Sequence, residues 1–129
     1  WSDRIRFIRD KGLAALVDAN MERWFTKGFR ERAPQTMERM TGMFLGCDLD
    51  GYIACVEAVR DMDFRASNPG VTTPTLVIVG TQDPATPPSL GETIAQQIKG
   101  ARLVALDAAH ISNVETPKAF TEAVLNFLQ

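Results

Sequence analysis

Apolar residues in the first half of the chain recur at helical spacing, whereas the second half mixes short apolar runs with helical stripes. Ile5, Ile8, Leu13, Leu16 and Val17 recur at spacings of three, four and five, with Arg4, Arg6, Arg9 and Lys11 interspersed. That spacing predicts one amphipathic helix with a single buried stripe. Asn20, or the "WFTKGF" stretch after it, ends the pattern. A second helix is expected from Pro34, a good first-turn residue because its missing N–H would be unpaired there anyway. It carries Met37, Met40, Met43 and Phe44 inward and stops at Gly46. A third starts near Asp48 or Asp50, either of which suits an N-cap, and sets Tyr52, Ile53, Val56 and Val59 on one side.

"RASNPGVTTP", residues 65–74, holds turn formers without periodicity and reads as a linker. Beyond it "TLVIV", residues 75–79, is β-branched and apolar on both faces, as in a strand buried in a parallel sheet. Pro87 and Pro88 open a helix with Leu90, Ile94 and Ile98 as its core stripe, and Gly100 closes it. "RLVAL", residues 102–106, is a second strand. Thr116 and Pro117 begin a last helix holding Phe120, Val124, Phe127 and Leu128. The fold class is therefore α/β, with an all-helical segment over 1–64, a linker over 65–74 and a βαβα unit of a parallel sheet over 75–129. Two strands leave long apolar edges, so further strands are expected to cover them. The first residue is Trp1, not Met, and that too reads as a cut end of a longer protein.

Composition narrows the function classes. The chain has 129 residues, 14 basic against 16 acidic, and no block of like charges, which argues against a nucleic-acid footprint or a basic membrane face. No apolar run approaches the roughly 20 residues that span a bilayer, and no signal peptide is visible. Cys47 and Cys55 lie in no CxxC or Cys/His cluster, so they read as free buried thiols of a cytoplasmic protein, without a metal site.

The candidate chemistry lies in "GTQDPATPP" and "LDAAHISN". Asp83 stands four residues past Val79, and His110, the one histidine, four past Leu106. Reactive groups of open α/β sheets collect beyond the carboxyl ends of the strands, so the two residues should emerge side by side. A carboxylate on one imidazole nitrogen fixes the tautomer and frees the other nitrogen to take a proton, the arrangement of a general base serving a nucleophile. The nucleophile is missing. Ser2, Ser67, Ser89 and Ser112 all lie outside any G-x-S-x-G turn between a strand and a helix, and neither cysteine has a strand behind it.

"PTLVIVGTQDPATPP" followed by "LDAAHISNVETPKAFTEAVLNFL" resembles the C-terminal part of the α/β-hydrolase fold. With "ERWFTKGFRERAP" and "LGCDLDGYIACVEAVRDMDFR", the whole chain is similar to the 3-oxoadipate enol-lactonases of the β-ketoadipate pathway. The resemblance implies a Ser-Asp-His triad with Asp83 as acid and His110 as base, while the serine belongs to an N-terminal part of the same enzyme. Residues 1–64 would be a helical cap over the site. No cofactor is implied. The substrate, a small lactone, carries a carboxylate that Arg4, Arg23, Lys27 or Arg30 could hold, and Trp1 and Trp24 could serve as flat apolar walls. Three alternatives stand beside one another: one part of an enol-lactonase, a carboxylesterase of the same fold acting on another small ester, or an inactive folded piece that associates with itself through a strand edge.

Overall fold

The computed structural model describes residues 1–129. Its first half holds α1 (Ser2–Lys11), α2 (Val17–Trp24), α3 (Lys27–Arg32), α4 (Pro34–Leu45) and α5 (Leu49–Asp61). The second half holds β1 (Leu76–Gly80), α6 (Pro88–Gln97), β2 (Arg102–Leu106), α7 (Ser112–Glu115) and α8 (Pro117–Leu128). β1 and β2 pair in parallel, Leu76 opposite Arg102 and Gly80 opposite Leu106, with α6 as the crossover. The βαβα order read from the sequence is thus the observed one, and both strands end at the same side of the sheet.

The helical half is more broken than its apolar spacing implied. The long first helix stops at Gly12, whose φ of 74° is open to glycine and strained for other residues. A 3₁₀ turn over Leu13–Leu16 then leads into α2. Asn20 lies inside α2 and does not end it. The break comes instead at Phe25 and Thr26, both extended, after which the Thr26 hydroxyl accepts the Phe29 N–H at 3.3 Å and caps α3. Of the two aspartates able to cap the next helix, Asp48 does so, its carboxylate accepting the Gly51 N–H at 2.7 Å.

Two apolar clusters hold this half together. Ile5, Ile8, Leu13 and Leu16 pack with Phe44, Ile53 and Val56, so α1 and the turn after it bury their stripe against α4 and α5. Met21, Phe25, Phe29 and Met40 form the second cluster, against which Ile111 and Val114 lie. This second cluster joins the helical half to the segment that follows β2. Ile8 and Phe25 are fully buried, and each such side chain stabilises by about 1.5–3 kcal/mol relative to leaving it in water.

The sheet half is less deeply packed than expected. Leu76, Val77 and Ile78 are only half-buried, and Leu90 and Ile94 of α6 are 52% and 40% exposed. Between them Gly91 sits against β1, so close that a Cβ there would run into a γ-methyl of Val79, while Ile98, the third residue of the expected stripe, is buried just past the end of the helix. Leu90 and Ile94 are left beside Val77 and Ile78 in an open groove. Met43 and Leu128, expected inside, face outward, and Val59 is partly exposed. Cys47 and Cys55 are free but exposed, contrary to the reading of buried thiols: Cys47 sits in the turn after α4, and Cys55 on α5 points away from the Ile53–Val56 stripe.

Candidate active site

The chain turns sharply after β1, with the Asp83 N–H donating to the Gly80 carbonyl at 3.2 Å. The Asp83 carboxylate then serves its own loop. Its Oδ1 accepts N–H groups from Ala85 at 2.8 Å and Thr86 at 3.0 Å, while Oδ2 accepts the Thr86 hydroxyl at 2.7 Å. Asp and Asn favour such turns because their side chains satisfy the backbone two and three residues on. Burial pushes the Asp83 carboxyl up, but hydrogen bonds from His110, Thr86 and Ala85 outweigh it and hold the group below the usual carboxylate range. Asp83 therefore stays ionised although it is only 8% exposed.

The loop after β2 is stitched to the Asp83 loop. The Thr81 N–H donates to the Leu106 carbonyl at 2.8 Å, the Gln82 N–H to the Ala108 carbonyl at 3.0 Å, and the Gln82 amide side chain to Asp107 at 2.7 Å. The two loops lie so close that a Cβ at Gly80 would collide with the carbonyl oxygens of Ala108 and Ala109. Glycine at a strand end permits this approach of backbone to backbone. Ala108 and Ala109 are buried, and His110 follows them with its ring half out in solvent.

His110 Nδ1 lies 2.7 Å from Asp83 Oδ2 and 3.2 Å from the Thr86 hydroxyl oxygen. An ionised carboxylate only accepts, so Nδ1 carries a proton, and in the neutral ring Nε2 is the nitrogen with the lone pair. The contact thus selects one tautomer of the neutral imidazole. It makes no hydrogen bond to any serine or cysteine of the chain. Ser112 is buried in α7, and the Ser67 hydroxyl donates to the Phe64 carbonyl at 3.1 Å.

His110 borders two cavities. One, of about 430 Å³, opens toward the helical half and is walled by Trp1, Trp24, Val56 and Val59, with Arg4, Arg23 and Tyr52 as its polar lining. The other, about 440 Å³, runs along the free flank of β1 past Asp83, Thr86 and Leu90. Both tryptophans singled out in the sequence therefore share a cavity with His110. Trp24 also packs edge-on against Phe44 at 5.6 Å, so it is core and wall at once. Among the four cations considered, Arg4 and Arg23 line this cavity; Lys27 and Arg30 do not, and Lys27 lies 3.8 Å from Glu31 on the surface.

Arg4 is pinned by groups that sequence reasoning passed over. One terminal nitrogen donates to Asn20 Oδ1 and to the Tyr52 hydroxyl, both at 2.8 Å. Neither Arg4 nor Arg23 has a carboxylate partner in the chain. Thr86, Gly80, Asn20 and Tyr52 complete the site's framework. Only Gly80 carried a readable signal, a glycine closing an apolar strand. No three His, Cys, Asp or Glu residues are grouped to hold a metal ion, and no helix is long and apolar enough to cross a membrane.

Comparison with known proteins places this geometry among hydrolases. The family model of the TAP-like protein matches residues 51–129. The 3-oxoadipate enol-lactonase 2 of Acinetobacter baylyi is 37% identical over 124 residues, which are 96% of this chain and 46% of that protein. The crystal structure of the enol-lactonase from Burkholderia xenovorans LB400 superposes with a TM-score of 0.97 at 44% identity, covering 99% of this chain and 49% of that one. A thermophilic esterase from Thermogutta terrifontis, with malate bound, gives 0.87 at 25% identity, covering 96% of this chain and 46% of its own. The chain spans about half the length of the relatives it matches.

Proposed function

The chain belongs to the TAP-like protein family, on the α/β-hydrolase fold, and from that premise we propose that it carries the acid and the histidine of a carboxylic ester hydrolase. The observation that supports this most directly is the 2.7 Å contact between Asp83 and His110 at neighbouring strand ends, opening on a cavity with tryptophan walls and guanidinium groups that no carboxylate neutralises. The reaction proposed is hydrolysis of 3-oxoadipate enol-lactone to 3-oxoadipate, in keeping with the enol-lactonases that match at 37% and 44% identity. A serine on an N-terminal part of the same enzyme is the proposed nucleophile.

In this reading His110 Nε2 takes the serine proton as its oxygen attacks the lactone carbonyl. The ring C–O bond breaks, the enolate takes the proton and becomes a ketone, and the acyl group remains on serine. His110 next takes a proton from water, which attacks the ester and releases the carboxylic acid, restoring serine. Asp83, ionised and fully hydrogen-bonded, stabilises the imidazolium in both halves. Residues 1–64 act as a cap. Arg4, held by Asn20 and Tyr52, presents its positive charge to the substrate carboxylate, with Arg23 beside it and Trp1 and Trp24 against the ring. No cofactor enters the chemistry, and a reducing cytoplasm suits the two free thiols.

A carboxylesterase acting on a different small ester is the second reading, favoured by the likeness to the Thermogutta terrifontis esterase. Turnover by the complete enzyme, nucleophile part included, on 3-oxoadipate enol-lactone and on simple aryl esters separates the two. The His110→Ala variant is expected to lose at least about 10³-fold in turnover with its fold intact; full activity in that variant would remove the assignment.

A further inference from the structure

Asp83 and Glu115 are the two carboxylates buried in this chain, and the chemistry above uses only the first. Glu115, at the end of α7, is 6% exposed and has no cationic partner. Its two oxygens are nonetheless occupied. They accept the Thr26 N–H at 3.3 Å, the Thr26 hydroxyl, and the Ala109 N–H at 3.0 Å. Every group around it donates, so an acceptor-only side chain is what the site requires; an amide would turn an NH₂ toward a donor. A buried charge is expensive unless hydrogen bonds stabilise it, and these bonds are made to two particular places in the chain.

Those places are informative. Thr26 lies in the extended break between α2 and α3, two residues after Trp24 of the cavity wall, and 89 residues before Glu115. Ala109 immediately precedes His110. A backbone hydrogen bond from the Ile111 N–H to the Trp24 carbonyl, 3.0 Å long, flanks the carboxylate, and Ile111 and Val114 pack on the cluster containing Phe25. One side chain thus clamps the backbone leading into the histidine to the backbone leading out of the cavity wall.

We propose that Glu115 is a positioning residue that couples the helical half to His110, so that the placement of Trp24 over the substrate and the placement of the imidazole are set together. Its kinetic consequence rests on the hydrolase reading; the coupling itself does not. A shift of the Trp24–Thr26 segment pulls on the Ala109 amide through a single rigid group, and release of Glu115 loosens both ends.

The test uses the complete enzyme carrying Glu115→Gln, which keeps the shape, with Glu115→Ala and Thr26→Ala beside it. Amide hydrogen exchange, resolved over residues 24–27 and 107–111, should accelerate at least about 10-fold in both segments in Glu115→Gln while β1 stays protected. Turnover should fall about 10- to 100-fold and KM for the lactone should rise with it. The Thr26→Ala and Glu115→Ala effects should be strongly non-additive. Acceleration in one segment alone, additive effects, or kcat and KM within about two-fold of wild type would overturn the inference. Should Glu115→Ala fail to fold, Glu115→Gln decides alone. If the lactone proves not to be the substrate while both segments still loosen together, the coupling stands and the substrate assignment falls.

Discussion

Replacing Asp83 by asparagine gives the sharpest test of the acid–histidine pair, because the surroundings dictate how the new amide must lie. Asp83 Oδ1 accepts two backbone N–H groups, from Ala85 and Thr86. In the Asp83→Asn variant the amide keeps its oxygen there, since an NH₂ in that position would face two donors and cost about 1–3 kcal/mol for each unmet group. Its NH₂ is then directed at His110 Nδ1, 2.7 Å from the present Oδ2. That nitrogen must become an acceptor, so the imidazole proton moves to Nε2, where the lone pair is needed. The wrong tautomer costs roughly 10⁴-fold in turnover in triads of this kind with little change in geometry. The assay is kcat/KM of the complete Asp83→Asn enzyme on the lactone, together with ¹⁵N chemical shifts of the His110 ring. A variant within about ten-fold of wild type, or one whose proton stays on Nδ1, would refute the reasoning. Stability adds a second readout. The folded-state carboxyl lies below its usual range, so it stabilises the fold above the unfolded pKa of about 4, and that contribution disappears as pH falls through the folded value. The wild type should therefore lose part of its stability between neutral pH and strong acid that the Asp83→Asn variant never had, as read by urea denaturation at each pH.

Two further outcomes follow from the framework of the site. Gly80→Ala sets a methyl against the backbone carbonyls of Ala108 and Ala109, which cannot swing away as a flexible side chain could; a loss of about 1–3 kcal/mol in urea unfolding is expected, and less than about 0.5 kcal/mol would contradict the close approach. Arg4→Ala should raise KM for the lactone by about ten-fold or more while kcat changes less, and Arg4→Lys should restore little, because lysine is one bond shorter and has no second terminal nitrogen to offer the cavity beside the one bonded to Asn20 and Tyr52; an unchanged KM would take the carboxylate away from Arg4.

The parts of this molecule that the sequence disclosed are those decided by local chemistry. "TLVIV" and "RLVAL" become β1 and β2 within a residue, because β-branched runs between turn formers leave few other conformations. Asp83 and His110 were legible for the same reason: each lies a short loop beyond a recognisable strand, and parallel strands joined by one helix must end side by side. Tertiary context decided the rest. The helix expected through Leu13 is broken by the positive φ of Gly12, and α3 was hidden inside an aromatic stretch whose capping threonine gave no periodic signal. Leu90, Ile94 and Ile98 read as a core stripe, yet of the three only Ile98 is buried, and the helix position seated on β1 is Gly91, whose lack of a side chain made it look inert. Glu115 was invisible. A glutamate in a short polar turn is ordinarily solvated, and its partners at residue 26 become neighbours only through packing of the second apolar cluster.

The Asx turn at Asp83 has a consequence for how the site comes together in time. Its carboxylate bonds to Ala85 and Thr86 reach only two and three residues along the chain, so they close loops of minimal entropy and can form while the rest is still a coil. The contact with His110 spans 27 residues and has to wait until β1, α6 and β2 have docked. The turn around the acid is thus a local device and its pairing with the imidazole a long-range one, and the bonds from Thr81 and Gln82 to Leu106 and Ala108 carry the order of one loop over to the other.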